Sequence, residues 1–77
     1  MLTHEELDKL LDGDRLVTRR DSLVTFKGWA GFRGVTVAVL LDDYGQFYVE
    51  SEADMQDLRA SSLTRLDLEQ RLGSRRV

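Results

Sequence analysis

The sequence predicts an α+β fold: an N-terminal helix, an antiparallel β-meander of three or four strands, and one or two C-terminal helices. Residues 1–13 carry helix-start and helix-stop signals, and residues 16–50 are rich in the β-branched and alternating patterns typical of strands. Of the 77 residues, 42% are hydrophobic and 32% charged, as in ordinary globular domains. We therefore expect one small domain over residues 1–73 and a frayed tail over residues 74–77.

The first helix is predicted by its capping residues. Thr3 followed by Glu6 fits a capping box, and Leu2 and Leu7 occupy the hydrophobic-staple positions. Gly13 is placed to end the helix, because glycine adopts the left-handed conformation at little cost.

Residues 16–27 are predicted to be extended, because β-branched residues are frequent there and apolar positions alternate. Two alternatives stay open for residues 19–22: a turn between two short strands, or a polar stretch within one long, bent strand. Residues 28–34 contain three glycines and are predicted to form a loop.

Residues 35–41 are the strongest predicted strand, and this strand is apolar on both faces. A turn over residues 42–45 is expected to return the chain as a further strand over residues 46–50. The side chains of these two strands that we expect to face the core are Val37, Val39, Leu41, Phe47 and Val49.

The C-terminal third is predicted to be mainly helical. Ser51 is placed to cap a second helix. Residues 63–72 fit neither a helical nor a strand period, so a short last helix ended by Gly73 and a brief strand at Leu66 and Leu68 both stay open. The remaining predicted core residues are Leu7, Leu10, Leu11, Val24, Phe26, Met55 and Leu58.

The net charge of −3 is the sum of four consecutive blocks of sequence whose net charges alternate in sign. Residues 1–14 sum to −4, residues 15–34 to +4, residues 35–57 to −6 and residues 58–77 to +3. These blocks either neutralise one another on the folded surface or form two faces of opposite sign. An acidic face would suit a basic partner, such as a protein that handles nucleic acid.

The residue types argue against an enzyme and against a metal or cofactor site. The chain has no cysteine and one histidine, His4, which we expect in the solvated first turn of a helix. Asp42 and Asp43 do not match the spaced oxygens of a calcium loop, and the glycines of residues 28–34 do not match a phosphate-binding loop. A chain this short is also expected to lack a deep cleft of roughly several hundred Å3. The N-terminus resembles no signal peptide and no apolar run is long enough to span a membrane, so we expect a cytoplasmic protein.

The glycine-rich segment from Lys27 to Arg33 joins two cations with two aromatic rings. Such a segment can stack on bases and neutralise phosphates, or it can anchor a protein partner. Alternatively, Trp29 or Phe32 folds back to close one end of a small core.

Two resemblances bear on function. The segments 13–17, 31–37 and 47–50 resemble the KOW type of SH3-like barrel, which implies a small β-barrel with helical ends and contact with RNA or with a ribosomal or polymerase partner. The acidic return strand departs from that pattern. In layout alone, the chain looks like several phage-encoded inhibitors, including anti-CRISPR proteins, that block nucleic-acid-handling enzymes.

The sequence thus favours a non-catalytic protein-binding module that acts as an inhibitor or as an accessory subunit. The alternative is a nucleic-acid-binding module, and self-association is a third interpretation. The predicted partner-binding residues are Asp42, Asp43, Tyr44, Glu50, Glu52, Trp29, Phe32 and Arg33. The residues predicted for the nucleic-acid alternative are Arg19, Arg20, Lys27, Trp29, Phe32 and Arg33.

Overall fold

A computed structural model describes residues 1–73 of the chain; the predicted tail, residues 74–77, lies outside the described residues. The elements are α1 (His4–Lys9), β1 (Arg15–Val17), β2 (Leu23–Phe32), β3 (Val35–Asp42), β4 (Phe47–Ser51), α2 (Glu52–Met55), β5 (Arg59–Ala60) and α3 (Ser62–Gly73). The five strands form one antiparallel sheet in the order β4-β3-β2-β1-β5. The predicted α+β fold is confirmed, with one strand more than expected.

The sheet does not close into a barrel. β4 and β5 lie at opposite edges, and the chain between them crosses one face of the sheet through α2. Met55 and Leu58, which lie on this crossing, pack into the same core as Phe26 and Leu40. The SH3-like barrel alternative is therefore wrong, since the segment that follows β4 covers a face instead of pairing with an edge.

The N-terminal helix begins as predicted and ends earlier. The Thr3 hydroxyl accepts from the Glu6 N–H at 3.1 Å, and the Glu6 carboxylate accepts from the Thr3 N–H at 3.0 Å. The helix ends at Lys9. Beyond it the Asp14 carboxylate accepts from the Leu11 N–H at 2.8 Å, which holds the chain out of the helix. The Leu11 side chain is exposed, so its predicted place in the core is wrong.

Residues 16–27 form two strands, which resolves the open alternative. The Thr18 N–H donates to the Ser22 carbonyl and the Asp21 N–H donates to the Thr18 carbonyl, both at 2.9 Å. Asp21 takes a φ of 60°, a left-handed conformation that aspartate tolerates in turns. A tight polar turn therefore joins β1 to β2.

The glycine-rich segment is strand for most of its length, so the predicted loop over residues 28–34 is wrong. β2 continues to Phe32 through a bulge between Phe26 and Gly28, where Gly28 takes a φ of 132°. The turn itself has only two residues, Arg33 at a φ of 51° and Gly34 at 78°. Gly28 lies at the bulge and Gly34 in the tight hairpin turn, and at both positions the backbone has a positive φ, which glycine adopts readily.

The covered face of the sheet is the opposite of the predicted one. Ala38 and Leu40 of β3 are fully buried under the helices, while Val39 and Leu41 are half-buried on the other face. Phe47 and Val49 are exposed, and Tyr48 packs against the core. Because side chains alternate with a period of two, choosing the wrong face reverses the predicted side of both strands. Val37 lies on the uncovered face but is buried, at 8% exposed, as predicted. The core cluster is Leu2, Leu7, Leu10, Leu16, Val24, Phe26, Ala38, Leu40, Met55, Leu58 and Leu68.

The C-terminal part of the described chain contains two helices, α2 and α3. Ser51 accepts from the Asp54 N–H at 3.1 Å and starts α2, as predicted. Residues 62–73 form one helix that buries Thr64 and Leu68, so the strand alternative at Leu66 and Leu68 is wrong.

Two partly buried ion pairs attach α3 to the N-terminal region. Arg71 donates to both oxygens of Asp14, at 2.6 and 3.1 Å, and also to the Lys9 carbonyl at 3.1 Å. Arg65 pairs with Glu6, the residue that closes the capping box. The hydrogen bond to Asp14 raises the pKa of Arg71 above its usual range. Both carboxylates are more than nine-tenths buried, so removing either cation would leave a charge with little solvation.

Neighbouring leucines of β3 test which face of the sheet is covered. We expect Leu40→Ala to lower the free energy of unfolding by about 3 kcal/mol, since it opens a cavity in the core. Leu41→Ala, on the uncovered face, should cost no more than about 1 kcal/mol. Urea denaturation of both variants measures this difference, and equal losses would contradict the assigned strand phase.

The Asp14–Arg71 pair is expected to stabilise the docking of α3. Asp14→Asn should lower the free energy of unfolding by about 2 kcal/mol, less than for a fully buried pair, because the Arg71 side chain is 23% exposed. The matched control is Asp12→Asn, whose carboxylate pairs with Lys27 at 2.8 Å but is 64% exposed. That change should cost less than about 1 kcal/mol by urea denaturation. Equal effects would refute a special role for Asp14.

Candidate functional site

An open cleft of about 710 Å3 lies beside the end of the sheet that carries the β1–β2 and β3–β4 turns. The expectation that so short a chain lacks a cleft of this size is therefore wrong, because the two turns and α2 enclose space beyond the core. We call it the acidic cleft. Its acidic and tyrosine side chains are Asp21, Asp42, Asp43, Tyr44, Tyr48, Glu50, Asp54 and Asp57, and Arg19 and Arg20 also line it.

The strand register, the β3–β4 turn and the Ser51 helix cap position the cleft residues. The Asp42 carboxylate accepts from the N–H groups of Tyr44 and Gln46, at 2.8 and 2.9 Å, and so shapes the β3–β4 turn. Glu50 lies opposite Ala38, on the face that the helices cover elsewhere. Ser51 then starts α2, so that Asp54 follows one turn later, near Glu50.

Negative charge is only partly balanced in the cleft. Arg19 pairs with Asp57 and Arg15 with Asp43, each at 3.1 Å. Within residues 1–73, neither Glu50 nor Asp54 has a cationic partner. Burial, followed by the negative charge of Asp54, raises the pKa of the Glu50 carboxyl.

The pKa of the Tyr48 hydroxyl is raised for similar reasons. Burial raises its pKa above the usual value of 10.0, and the charges of Glu50 and Asp42 raise it further. The arrangement offers carboxylates and phenol oxygens to a cation. Within the described part of the chain, no group of three or more His, Asp or Glu side chains is arranged to hold a metal ion.

Ion pairs neutralise part of the charge blocks, inside the cleft as well as outside it. The ion pairs join acidic residues to basic residues distant in sequence: Arg15–Asp43, Arg19–Asp57, Lys27–Asp12, Arg59–Asp21, Arg65–Glu6 and Arg71–Asp14. Of the six carboxylates that line the cleft, Asp42, Glu50 and Asp54 have no cationic partner within residues 1–73.

The structure brings together four of the predicted partner-binding residues. Asp42, Asp43, Tyr44 and Glu50 line the acidic cleft, whereas Glu52 lies in the first turn of α2 and does not line it. The cleft also contains Tyr48, Asp54 and Asp57. The sequence signal for the two aspartates was the acidic run that ends at Asp57. The signal for Tyr48 was the alternation of side chains along the strand, which places Tyr48 and Glu50 on the same face.

The other three predicted residues lie at the far end of β2. The Trp29 ring meets the Phe26 ring edge-on, with centroids 5.5 Å apart, and is 36% exposed. Phe32 lies on the opposite face of the sheet and is 54% exposed. The Arg33 guanidinium lies over the Phe32 ring, 5.4 Å from the ring centre. Trp29 thus extends the core, and Phe32 does not.

The residues predicted for nucleic-acid binding do not form one surface. Arg19 and Arg20 precede β2, while Trp29, Phe32 and Arg33 lie at or beyond its other end. A strand of ten residues spans about 30 Å. In addition, Arg19 is held by Asp57 and Lys27 by Asp12.

A second surface is the sheet face opposite the helices, which we call the outer sheet face. Residues directly opposed in an antiparallel pair point to the same side, and the register therefore aligns these outward residues: Ala30, Phe32, Val35, Val37, Val39, Leu41, Phe47 and Val49. Phe32, Val35, Phe47 and Val49 are each at least half exposed. This surface was not predicted from the sequence, because most of its residues were expected in the core.

No protein-family model matches this chain, and no match was found among curated proteins or among solved structures. Within residues 1–73, no helix is long and apolar enough to cross a membrane.

The raised pKa of Glu50 predicts a pH-dependent effect of Glu50→Gln. The folded state holds the Glu50 proton more tightly than the unfolded state, so ionisation of Glu50 lowers stability as pH rises above the ordinary value of 4.5. We expect Glu50→Gln to raise the free energy of unfolding near neutral pH and to change it little well below that value. Urea denaturation across this pH range measures the difference. Glu69→Gln, an exposed position on α3, is the control, and the prediction fails if both variants behave alike.

Proposed function

We propose that this chain is a non-catalytic protein-binding module that acts by covering a basic surface of its partner, as an inhibitor or an accessory subunit. The observation that carries the proposal is the pair of carboxylates, Glu50 and Asp54, that stand near each other in the acidic cleft without a cation from residues 1–73. Burial, and then the negative charge of Asp54, disfavour the ionised Glu50 carboxyl, and an arriving cation would offset both effects.

The shape of the cleft supports a side chain of a protein as its occupant. It is wide and open, and Tyr44, which is 92% exposed, stands at its rim. Tyrosine rings pack on the guanidinium or ammonium stem of a basic residue, and such contacts strengthen when they are desolvated. A basic segment would place one cation between Glu50 and Asp54 and others near Asp42 and Asp43.

The balance of charge supports a basic partner over a nucleic acid. The cleft would repel phosphates, and the chain carries a net charge of −3. The basic residues of the nucleic-acid alternative are divided between two ends of β2, as described above. We therefore place nucleic-acid binding second.

Binding of a fluorescent oligo-arginine peptide, followed by anisotropy, tests the proposal. The variant Glu50→Lys with Asp54→Lys should weaken binding by about tenfold or more, because two attractive contacts become repulsive. The matched control, Asp67→Lys with Glu69→Lys, makes the same change of net charge on exposed positions of α3. It should weaken binding far less.

Equal losses in the two variants would mean that net charge alone attracts the peptide, and the proposal would be wrong. A fluorescent single-stranded oligonucleotide at low salt is the second probe. We expect no binding; binding whose affinity falls steeply with salt would favour the nucleic-acid alternative instead.

A further inference from the structure

We propose that two copies of this chain associate through their outer sheet faces, with the strands of the two copies antiparallel. This face does not include Glu50 or Asp54, although the Asp43 turn borders both this face and the acidic cleft. The proposal rests on the composition of the outer sheet face, on its area, and on the charges at its two ends.

The outer sheet face is apolar and has no cover within the described residues. Every residue of the core cluster lies on the helical side or within the helices, and α1, α2 and α3 all pack on that side. The outward rows of β3 and β4 consist of Val35, Val37, Val39, Leu41, Phe47, Val49 and Ser51. A contiguous apolar patch of this kind is among the largest that soluble monomers expose, and such patches often mark interaction sites.

The area is sufficient for a dimer. Allowing about 200 Å2 for a fully exposed phenylalanine and less for each aliphatic residue, the exposed fractions give the patch roughly 500 Å2. Two such patches together bury about 1,000 Å2, near the lower limit for a specific interface. Packed about 10 Å apart, the two sheets would form a sandwich that supplies a second core. A domain of this size gains from such a core, since its own is small.

Charge favours a second copy as the occupant and selects the antiparallel arrangement. Arg33, which precedes β3, has no carboxylate partner within residues 1–73. Asp43, which follows β3, pairs with Arg15 at 3.1 Å, and its side chain is still 57% exposed. A two-fold axis across the strands places each Arg33 turn over the partner copy's Asp43 turn. An axis along the strands would place like charges together. In either case the clefts around Glu50 face away from the interface.

Sedimentation equilibrium from micromolar to millimolar protein tests the association. We expect the average mass to rise from 8.8 kDa toward twice that value. Phe47→Lys, at a position 64% exposed, should weaken association by about tenfold or more, because the lysine ammonium would be buried in an apolar interface. Leu63→Lys on α3, 77% exposed, is the matched control and should leave association unchanged.

Three outcomes would overturn the proposal: a wild-type mass of 8.8 kDa at every concentration, a Phe47→Lys variant that still dimerises, or a Leu63→Lys variant that dissociates as readily. The first outcome leaves the outer sheet face to a different partner. The second points to pairing through the β4 edge. Peptide binding by the acidic cleft is measured separately, so failure of one proposal does not entail failure of the other.

Disulfide trapping tests the orientation, since the chain has no cysteine of its own. A mixture of Arg33→Cys and Tyr44→Cys proteins should form mixed disulfide dimers on mild oxidation, because the antiparallel arrangement brings these two turns together. Arg33→Cys alone should form few. Efficient dimers of Arg33→Cys alone would place like turns together and overturn the antiparallel arrangement.

Discussion

The number of helices available to cover the sheet is the constraint on which the rest of this structure depends. Five strands present two faces, and three short helices cover only one of them. The smallest dimension of the molecule is 18 Å, about that of one sheet and one helical layer. The core cluster is therefore confined to one side of the sheet, and on the other side Val35, Phe47 and Val49 remain exposed while Val37 is buried.

The helical layer is attached by charge as well as by apolar packing. α3 brings Leu68 into the core and joins the N-terminal region through Arg65 and Arg71. The carboxylates that receive these arginines, Glu6 and Asp14, also hydrogen-bond to backbone N–H groups near the ends of α1. Each carboxylate thus links two parts of the chain, which restricts where α3 can lie on the sheet.

The two candidate surfaces differ in chemistry because they lie on different faces. The acidic cleft occupies the part of the helical side that α2 leaves open, and it contains Asp42, Glu50 and Asp54, which have no cationic partner within residues 1–73. The outer sheet face is apolar along β3 and β4, and Arg15 and Arg59 lie on its β1 and β5 side. A dimer that used the outer sheet face would present two acidic clefts on opposite sides, and a partner with two basic segments would then bind more tightly than a partner with one.

Local signals in the sequence determined the caps at Thr3 and Ser51, the strand character of β2 to β4, and the acidic character of residues 42–57. These are short-range properties, since a cap or a turn depends on neighbours within a few residues. Local signals did not determine where Gly28 and Gly31 belong, because a glycine in a bulge or a strand has the same sequence signature as a glycine in a loop. The cleft residues were found in part: Asp42, Asp43 and Glu50 belong to one acidic run, but Tyr48 joins them only through the strand phase.

Only the tertiary structure decided which face of β3 is covered. Val37, Val39 and Leu41 on one face and Ala38 and Leu40 on the other are both apolar enough to be buried, so the pattern along the strand is symmetric in this respect. The helices select the Ala38 and Leu40 face, because the chain crosses that side between β4 and β5 and places Met55, Leu58 and Leu68 there. Contacts between distant segments decide which face is covered, and the periodicity of a single strand contains no information about such contacts.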